Sequence, residues 1–472
     1  MADDVSVMWF RRDLRVRDHP ALVAAAEHAR CVPVFVFDDR LLTKGRFPSA
    51  IRTQFMLGCL AELDTSLRER GGKLVLRHGR PEEVLPALCA ELGARDLYFT
   101  AEASPWGRGR DQRVIDALEH VRVHPLPGAC VVDDPTAIRT GQGAPYTVFS
   151  PFARNWRTVA RRAVLSAPRT VDTPQNVKAG SLPSLADLGM DEPPSRGTFV
   201  PGEQAARRQL RAFLKTGLEQ YADGRNAPKG GSSRLSPYLR WGCLSALSLD
   251  AEVVDLPGDG PHEYRTELAW RDFYAAVLMH FPFVVRQEFQ ERYRGTLDWE
   301  DPAEHLEAWT AGRTGYPLVD AGMRQLAHEG WMHNRVRMVV GSFLTKDLHL
   351  DWREGERVFM ERLIDGDMAA NNGGWQWIAS TGADPKPYFQ RLFNPVTQHE
   401  KFDPDGEYVR RWCPELENVP APRLSKPWTM SAEEQEAAGC VIGEHYPAPI
   451  VDHAAERRRA IERYRAVAGS DG

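Results

Sequence analysis

Cysteine is scarce and scattered in this 472-residue sequence. The seven residues (Cys31, Cys59, Cys89, Cys130, Cys243, Cys413 and Cys440) include no Cys-x-x-Cys pair. That excludes a zinc ribbon and a local iron–sulfur motif. Buried thiols in a reducing cytoplasm are the expectation instead. No apolar run approaches the about 18 residues of a membrane span. The acidic N-terminus, Met-Ala-Asp-Asp, lacks the basic and apolar regions of a signal peptide. A whole-molecule basic field is missing too. The net charge is −5, so any nucleic-acid surface must be a local patch. There is no internal repeat and no low-complexity tail. No Gly-x-Gly-x-x-Gly follows the first strand and no Walker loop occurs, which excludes the usual dinucleotide and P-loop sites.

What is present suits a large core. Residues that are 42% hydrophobic and 26% charged are ordinary for a globular protein, and the length implies two or three domains. Within residues 1–130, strand patterns at Val5–Phe10, Val32–Phe37, Lys73–Arg77 and Asp96–Thr100, with a weaker one at Val121–His124, alternate with helical periodicity at Pro20–Ala29, Ile51–Arg70, Pro81–Leu92 and Asp111–His120. That alternation predicts a parallel sheet covered on both faces. Residues 131–200 show one helix, Thr147–Val164, and then a Pro/Ser/Gly/Asp-rich stretch read as a surface linker. From residue 202 helical periodicity dominates, beginning with an amphipathic helix over Gly202–Tyr221.

Several constellations could carry chemistry. The run from Trp9 to Asp18 holds four arginines and two aspartates; by composition it reads as a solvated loop with surface ion pairs. The Gly230–Ser236 loop offers backbone N–H groups, serine hydroxyls and Arg234, which suit a phosphate or simply cap a helix. Glu267, Trp270, Arg271 and Tyr274 share one helical face. They form either an amphipathic surface with an intrahelical pair or a carboxyl beside a stacking platform for a nucleobase. Trp331–Phe343 reads as a helix with Asn334, Arg337 and Met338 on one face. Asp365, Asp367, Asn371 and Asn372 sit among glycines, where backbone can approach a planar heterocycle with donors and acceptors on its edge. Trp299, Trp352 and Trp375 come from separate elements; they are core aromatics or a relay for an electron.

Taken together, Trp331–Met338, Asp351–Arg357, Ile364–Trp377 and Phe393–Phe402 resemble the DNA photolyase/cryptochrome family, and within it the class I cyclobutane pyrimidine dimer photolyases. The likeness extends to Trp9–Asp18, Thr266–Tyr274 and Gly315–Asp320, nearly the whole chain. It implies an α/β, Rossmann-like parallel-sheet antenna domain (1–130), an interdomain helix and linker (131–200), and an all-α FAD-binding catalytic domain (201–472). It implies light-driven repair of UV-damaged DNA, in which reduced FAD lends an electron to a flipped-out pyrimidine dimer and recovers it. No metal or membrane is expected, and the protein should be a cytoplasmic monomer.

Residue roles carry over from the resemblance. Tyr221, Ser232, Ser233, Arg234, Leu235 and Ser236 would hold the FAD phosphates. Arg337 and Asp365 would pair against the isoalloxazine, with Asp367 at its polar edge and Asn371 by N5. Glu267, Asn334 and Met338 would act on the dimer, with Trp270 and Trp377 against its rings. Arg225, Arg335 and Lys401 would contact DNA phosphates. Trp375, Trp352 and Trp299 would form the electron chain. Phe35, Phe37, Asp38, Lys44, Arg46 and Glu102 look like a deazaflavin (8-HDF) antenna site; methenyltetrahydrofolate, or no antenna, is the alternative. Two rival readings are a cryptochrome-type blue-light sensor and a (6-4) photolyase. Family (6-4) enzymes carry histidines in the dimer pocket, whereas His333 here falls on another face.

Overall fold

The computed structural model describes residues 4–193 and 197–468. They divide into two compact units. Of the described residues, the first takes those up to Glu219 together with Ser233–Pro282 and Ile364–Ala370; the second takes Gln220–Ser232, Phe283–Leu363 and those from Asn371 onward.

The first unit is built on five parallel strands, β1 (Val5–Phe10), β2 (Arg30–Phe37), β3 (Val75–His78), β4 (Asp96–Thr100) and β5 (Arg122–Leu126), in the order β3-β2-β1-β4-β5. All six residues of β1 are buried, as expected of a central strand covered on both faces. Helices Ala50–Arg68, Pro81–Leu92 and Pro105–Asp116 supply that cover. The second of these starts with Pro at its first turn and stops at left-handed Gly93, each a standard terminal signal. The chain order reverses between β1 and β4, so the crevice past their C-terminal ends is the place where such sheets bind ligands.

The stretch after residue 166 is not the free surface linker that its composition suggests. Val171 and Val177 are buried, Cys31 N–H donates to Asp172 O at 2.9 Å, and Leu76 N–H donates to Ala179 O. It is irregular because its backbone bonds are spent on strand residues 31 and 76. The helix before it spans only Phe149–Trp156. Helices Glu203–Thr216 and Asp259–His280 complete this unit's main elements.

The second unit is helical. Its core gathers helices Pro317–Glu329, Asn334–Ser342 and Trp352–Arg362 around Trp309, Phe343, Phe359 and Trp375. The third helix starts at Asp351, whose carboxylate caps it by accepting Arg353 N–H. A π-helical turn, Phe343–Asp347, carries buried Lys346 and Asp347, and the helix His453–Ala468 packs on it through His453 and Asp347.

Candidate functional site

Most of the charged run after β1 is buried, with Arg12 half-buried and Arg17 exposed, which corrects the solvated-loop expectation. Arg11, Asp13, Arg15 and Asp18 are all at most 5% exposed. The cause is long-range pairing that spacing along the chain cannot reveal. Arg11 pairs with Asp111 at 2.5 Å, and Arg12 pairs with Asp367 at 2.9 Å and approaches Glu102 at 3.5 Å. Arg15 instead donates to the carbonyls of Gly128, Asp18 and Gly242. Buried ions need such partners.

A small cavity of about 30 Å³ opens at the β1/β4 switch point, walled by Arg12, Thr100, Glu102, Arg240, Arg271 and Asp367 among others. Burial opposes the Glu102 charge, but Arg12, Arg110 and Arg11 hold that carboxyl well below the usual range. Burial likewise opposes the Asp367 charge, and Arg12, Arg240 and Arg271 pull its carboxyl down to about 2. Asp367 also accepts the N–H groups of Ala369 and Ala370. Arg240 donates to Gly366 O, while its buried Nη1 has no hydrogen-bond partner among the described residues. Burial, then Arg12, lowers Arg240 to about 9. The wall therefore favours an anionic or carbonyl-rich group. Of the proposed antenna residues, Glu102 lies on this wall. Phe35 and Phe37 pack edge to face at 5.0 Å, Phe37 stacks on His78, and Asp38 caps the helix Asp39–Leu42 while pairing with Arg40. Lys44 and Arg46 are exposed. Arg240 was missed in the sequence because an arginine inside a five-residue helix carries no pattern of its own.

In the first unit, Glu267 and Trp270 lie half-buried on Asp259–His280, and Trp270 stacks on Phe149 with centroids 3.6 Å apart. Arg271 does not pair with Glu267 as i,i+4 spacing suggested. It reaches Ala129 O at 2.7 Å. Ser233 is buried, with its hydroxyl accepting from Tyr264 at 3.1 Å and its carbonyl from Gln209. Arg234 has a left-handed backbone, φ 54°, which bends the loop before the helix Ser236–Arg240. Leu235 is buried and Asp365 is buried near Arg52.

In the second unit, Tyr221 opens the short helix Tyr221–Gly224, and Gly231 backs against it so closely that a Cβ would lie 2.0 Å from Gly224 O. Only glycine fits that approach. Asn334 is exposed at the first position of its helix, and Met338 is half-buried one turn on. The helix starts at Asn334 rather than Trp331 because Gly330, left-handed, closes the preceding helix and buried His333 caps the new one by accepting Arg335 N–H. Arg337 donates to Met332 O at 2.8 Å. Arg335 donates to Asn226 at 2.7 Å and lies over Phe402, 4.6 Å from the ring centroid, with Lys401 Nζ at 5.3 Å from the same ring. Burial, then the charge of Arg225, lowers the Arg335 pKa. Arg225, Arg335 and Lys401 thus form one local basic patch. Phe402, its aromatic floor, was not singled out from sequence.

Asn371 donates to Glu356 O at 3.1 Å and Asn372 to the Glu356 carboxylate at 2.8 Å, so both carboxamides are held by one residue of a neighbouring helix. Trp377 lies under Arg391, whose guanidinium is 4.0 Å from the ring centroid. Trp375 and Trp352 belong to one core, with Trp299 packed against it. Trp352 donates its indole N–H to buried Glu288 at 3.2 Å, and Arg353 lies over its ring. An isolated Glu in an irregular stretch gave no signal of that role.

Known proteins resemble this chain over nearly its full length. Residues 6–174 match a family model described as DNA photolyase, and residues 264–466 match one described as the FAD binding domain of DNA photolyase. A deoxyribodipyrimidine photo-lyase of Streptomyces griseus is 39% identical over 467 residues, 98% of this chain and 99% of its own. The crystal structure of a class III photolyase from Agrobacterium tumefaciens has a TM-score of 0.92 at 35% identity, covering 99% of this chain and 98% of its own. A cryptochrome structure from Synechocystis has a TM-score of 0.90 at 29% identity, covering 98% and 99%. With a five-stranded parallel sheet, a helical unit and these full-length likenesses, the chain belongs to the DNA photolyase family.

Proposed function

We propose that the protein is a deoxyribodipyrimidine photo-lyase that repairs cyclobutane pyrimidine dimers in DNA under blue or near-UV light. The observation that carries this reading is the make-up of the helix Asn334–Ser342. It offers exposed Asn334 and half-buried Met338 beside the Arg335–Lys401–Phe402 patch, while His333 is consumed as a buried cap. A (6-4) enzyme would need histidine where Asn and Met stand.

The residues suit FAD. The Gly231 close approach and the bend at Arg234 shape a loop rich in hydroxyls and N–H groups, which fits a diphosphate. Asp367 is kept ionised and aimed by Arg12, which fits the N–H edge of a flavin. Tyr221, Ser232, Ser233, Arg234, Leu235 and Ser236 would hold the phosphates; Arg337, Asp365, Asp367 and Asn371 would hold the ring. When bound, FAD supplies the light-driven one-electron chemistry. The chain's own residues do the rest. Arg225, Arg335 and Lys401 neutralise DNA phosphates. Trp270 and Trp377 would pack against the rings of the extruded pyrimidine dimer. Glu267 would hydrogen-bond the pyrimidine carbonyls of the dimer and favour the negative charge that the dimer acquires. Trp299, Trp352 and Trp375 pass electrons inward. Phe35, Phe37, Asp38, Lys44, Arg46 and Glu102 would take the antenna, 8-HDF in this reading, with methenyltetrahydrofolate or none as the alternative. We take the working form to be a cytoplasmic monomer.

The test is illumination of the reduced, FAD-loaded protein with an oligonucleotide carrying a thymine dimer. Ultraviolet absorbance of the pyrimidines should return in the light and not in the dark. No recovery would favour the second reading, a cryptochrome-type sensor, which the Synechocystis likeness supports.

A further inference from the structure

Two cysteines that the repair chemistry does not use lie side by side in the first unit. Cys59, on the helix Ala50–Arg68, and Cys243, in the turn before the helix Ala246–Val253, have sulfurs 3.5 Å apart although 184 positions separate them. Both are buried from bulk solvent. Their environments nevertheless differ. Cys243 forms part of the wall of a cavity of about 60 Å³ that also carries Arg15, Arg17, Arg207, Glu203, Glu252 and Ser245. That is the space of about two water molecules, so a molecule the size of hydrogen peroxide fits. Cys59 is absent from this wall. Its thiol is pushed well above the usual range, by burial first and then by Cys243.

Arginines and carboxylates both line that wall, so it is polar, and a cysteine there can meet a small polar oxidant; the thiolate is the form that reacts. The Cys243 S–H is directed at the Cys59 sulfur, so the two sulfurs already face each other at 3.5 Å. The pair is therefore asymmetric, with one sulfur at a small polar cavity and the other directly behind it.

We propose that Cys243 and Cys59 are a redox-active dithiol, in which hydrogen peroxide oxidises Cys243 and Cys59 closes a disulfide onto it. The Cys243 thiolate attacks one peroxide oxygen. An S–O bond forms, the O–O bond breaks, and the departing hydroxide leaves as water after taking a proton. The Cys59 sulfur then attacks the Cys243 sulfenic acid. The S–S bond forms, the S–O bond breaks, and the second water carries away the Cys59 proton. Two thiols and one peroxide give one disulfide and two waters, a two-electron exchange that an added dithiol reverses. The product ties the helix Ala50–Arg68 to the Cys243 turn.

The experiment is peroxide titration of the folded full-length protein, followed by alkylation and peptide mapping under non-reducing conditions. A Cys59–Cys243 linked peptide should form first, ahead of modification at half-buried Cys130, and dithiothreitol should release it. Cys59→Ser should leave a sulfenic acid at Cys243 that a dimedone probe captures; Cys243→Ser should leave Cys59 unmodified. The wild-type map decides the matter even if a variant misfolds. Oxidation of Cys130 with the pair still reduced, or a linked peptide that forms only in denaturant, would overturn the proposal.

Discussion

Arg12 and Asp367, 355 positions apart in sequence, form a guanidinium–carboxylate pair at 2.9 Å. It sets the charge state of an aspartate that the proposed function assigns to the flavin. The Asp367 carboxyl lies near 2 in the fold against an ordinary 3.8. Its contribution to stability is thus present above about pH 4 and is lost as the pH falls through about 2. Arg12→Gln should cost about 1–2 kcal/mol near pH 7, after allowance for the partial exposure of both side chains. Urea unfolding at about pH 7 and about pH 3 checks this: the gap to the wild type should narrow in acid, and an equal gap at both would contradict it.

Gly355 faces Trp375 across the second unit's core. A Cβ at Gly355 would sit 2.1 Å from the indole ring. Alanine normally gains up to about 1 kcal/mol over glycine inside a helix. Here overpacking should win, so Gly355→Ala should destabilise by about 1–3 kcal/mol. Thermal unfolding with tryptophan emission as probe would show a lower midpoint and a shifted spectrum. A stabilised variant would mean the ring can move aside.

The sheet was legible from short apolar runs, and Asp96–Thr100 matches its strand residue for residue. The helical unit was legible from periodicity. What failed did so for identifiable reasons. The Trp9–Asp18 run looked solvated because its partners, Asp111 and Asp367, lie far along the chain. The stretch after 166 looked free because irregular backbone can still pair with strand residues. Histidine is an uncommon helix cap, so periodicity alone extends back to Trp331 a helix that begins at Asn334. The patch residues Arg335 and Lys401 were named through a resemblance, but the Phe402 ring that orders both is visible only in three dimensions.

Arg335 is tied by Asn226 and Phe402 before any DNA arrives, so little side-chain entropy remains to be lost on binding. Arg335→Ala should weaken binding of every DNA sequence alike. It should also flatten the salt dependence of the association constant by about one unit of slope. Fluorescence anisotropy across a salt series measures both. A loss confined to dimer-containing DNA would place Arg335 at the lesion instead.

Glu267 is a test of donor chemistry. If its carboxyl donates to a pyrimidine carbonyl, Glu267→Gln keeps an N–H donor and Glu267→Ala keeps none. One such hydrogen bond is worth about 1 kcal/mol, so alanine should lower the repair quantum yield roughly 5-fold and glutamine less. Binding of dimer-containing DNA should change little in either. Equal yields in all three proteins would remove Glu267 from the chemistry.

Trp352 is fully buried, donates to Glu288 and carries Arg353 on its face. A carboxylate on the indole N–H favours transient positive charge there, which suits the middle member of an electron chain. Phenylalanine can fill most of the same space but is far harder to oxidise. Trp352→Phe should therefore slow photoreduction of the bound flavin by at least roughly tenfold, a barrier increase of about 1.4 kcal/mol. It should leave repair by chemically reduced protein near the wild-type level, because in the proposed function the reduced flavin itself lends the electron. Glu288→Gln should slow photoreduction less, since an amide oxygen still accepts the indole N–H without the charge. Bleaching of flavin absorbance under blue light with an external thiol donor reads both variants. If Trp352→Phe photoreduces at the wild-type rate, the electron enters by another route.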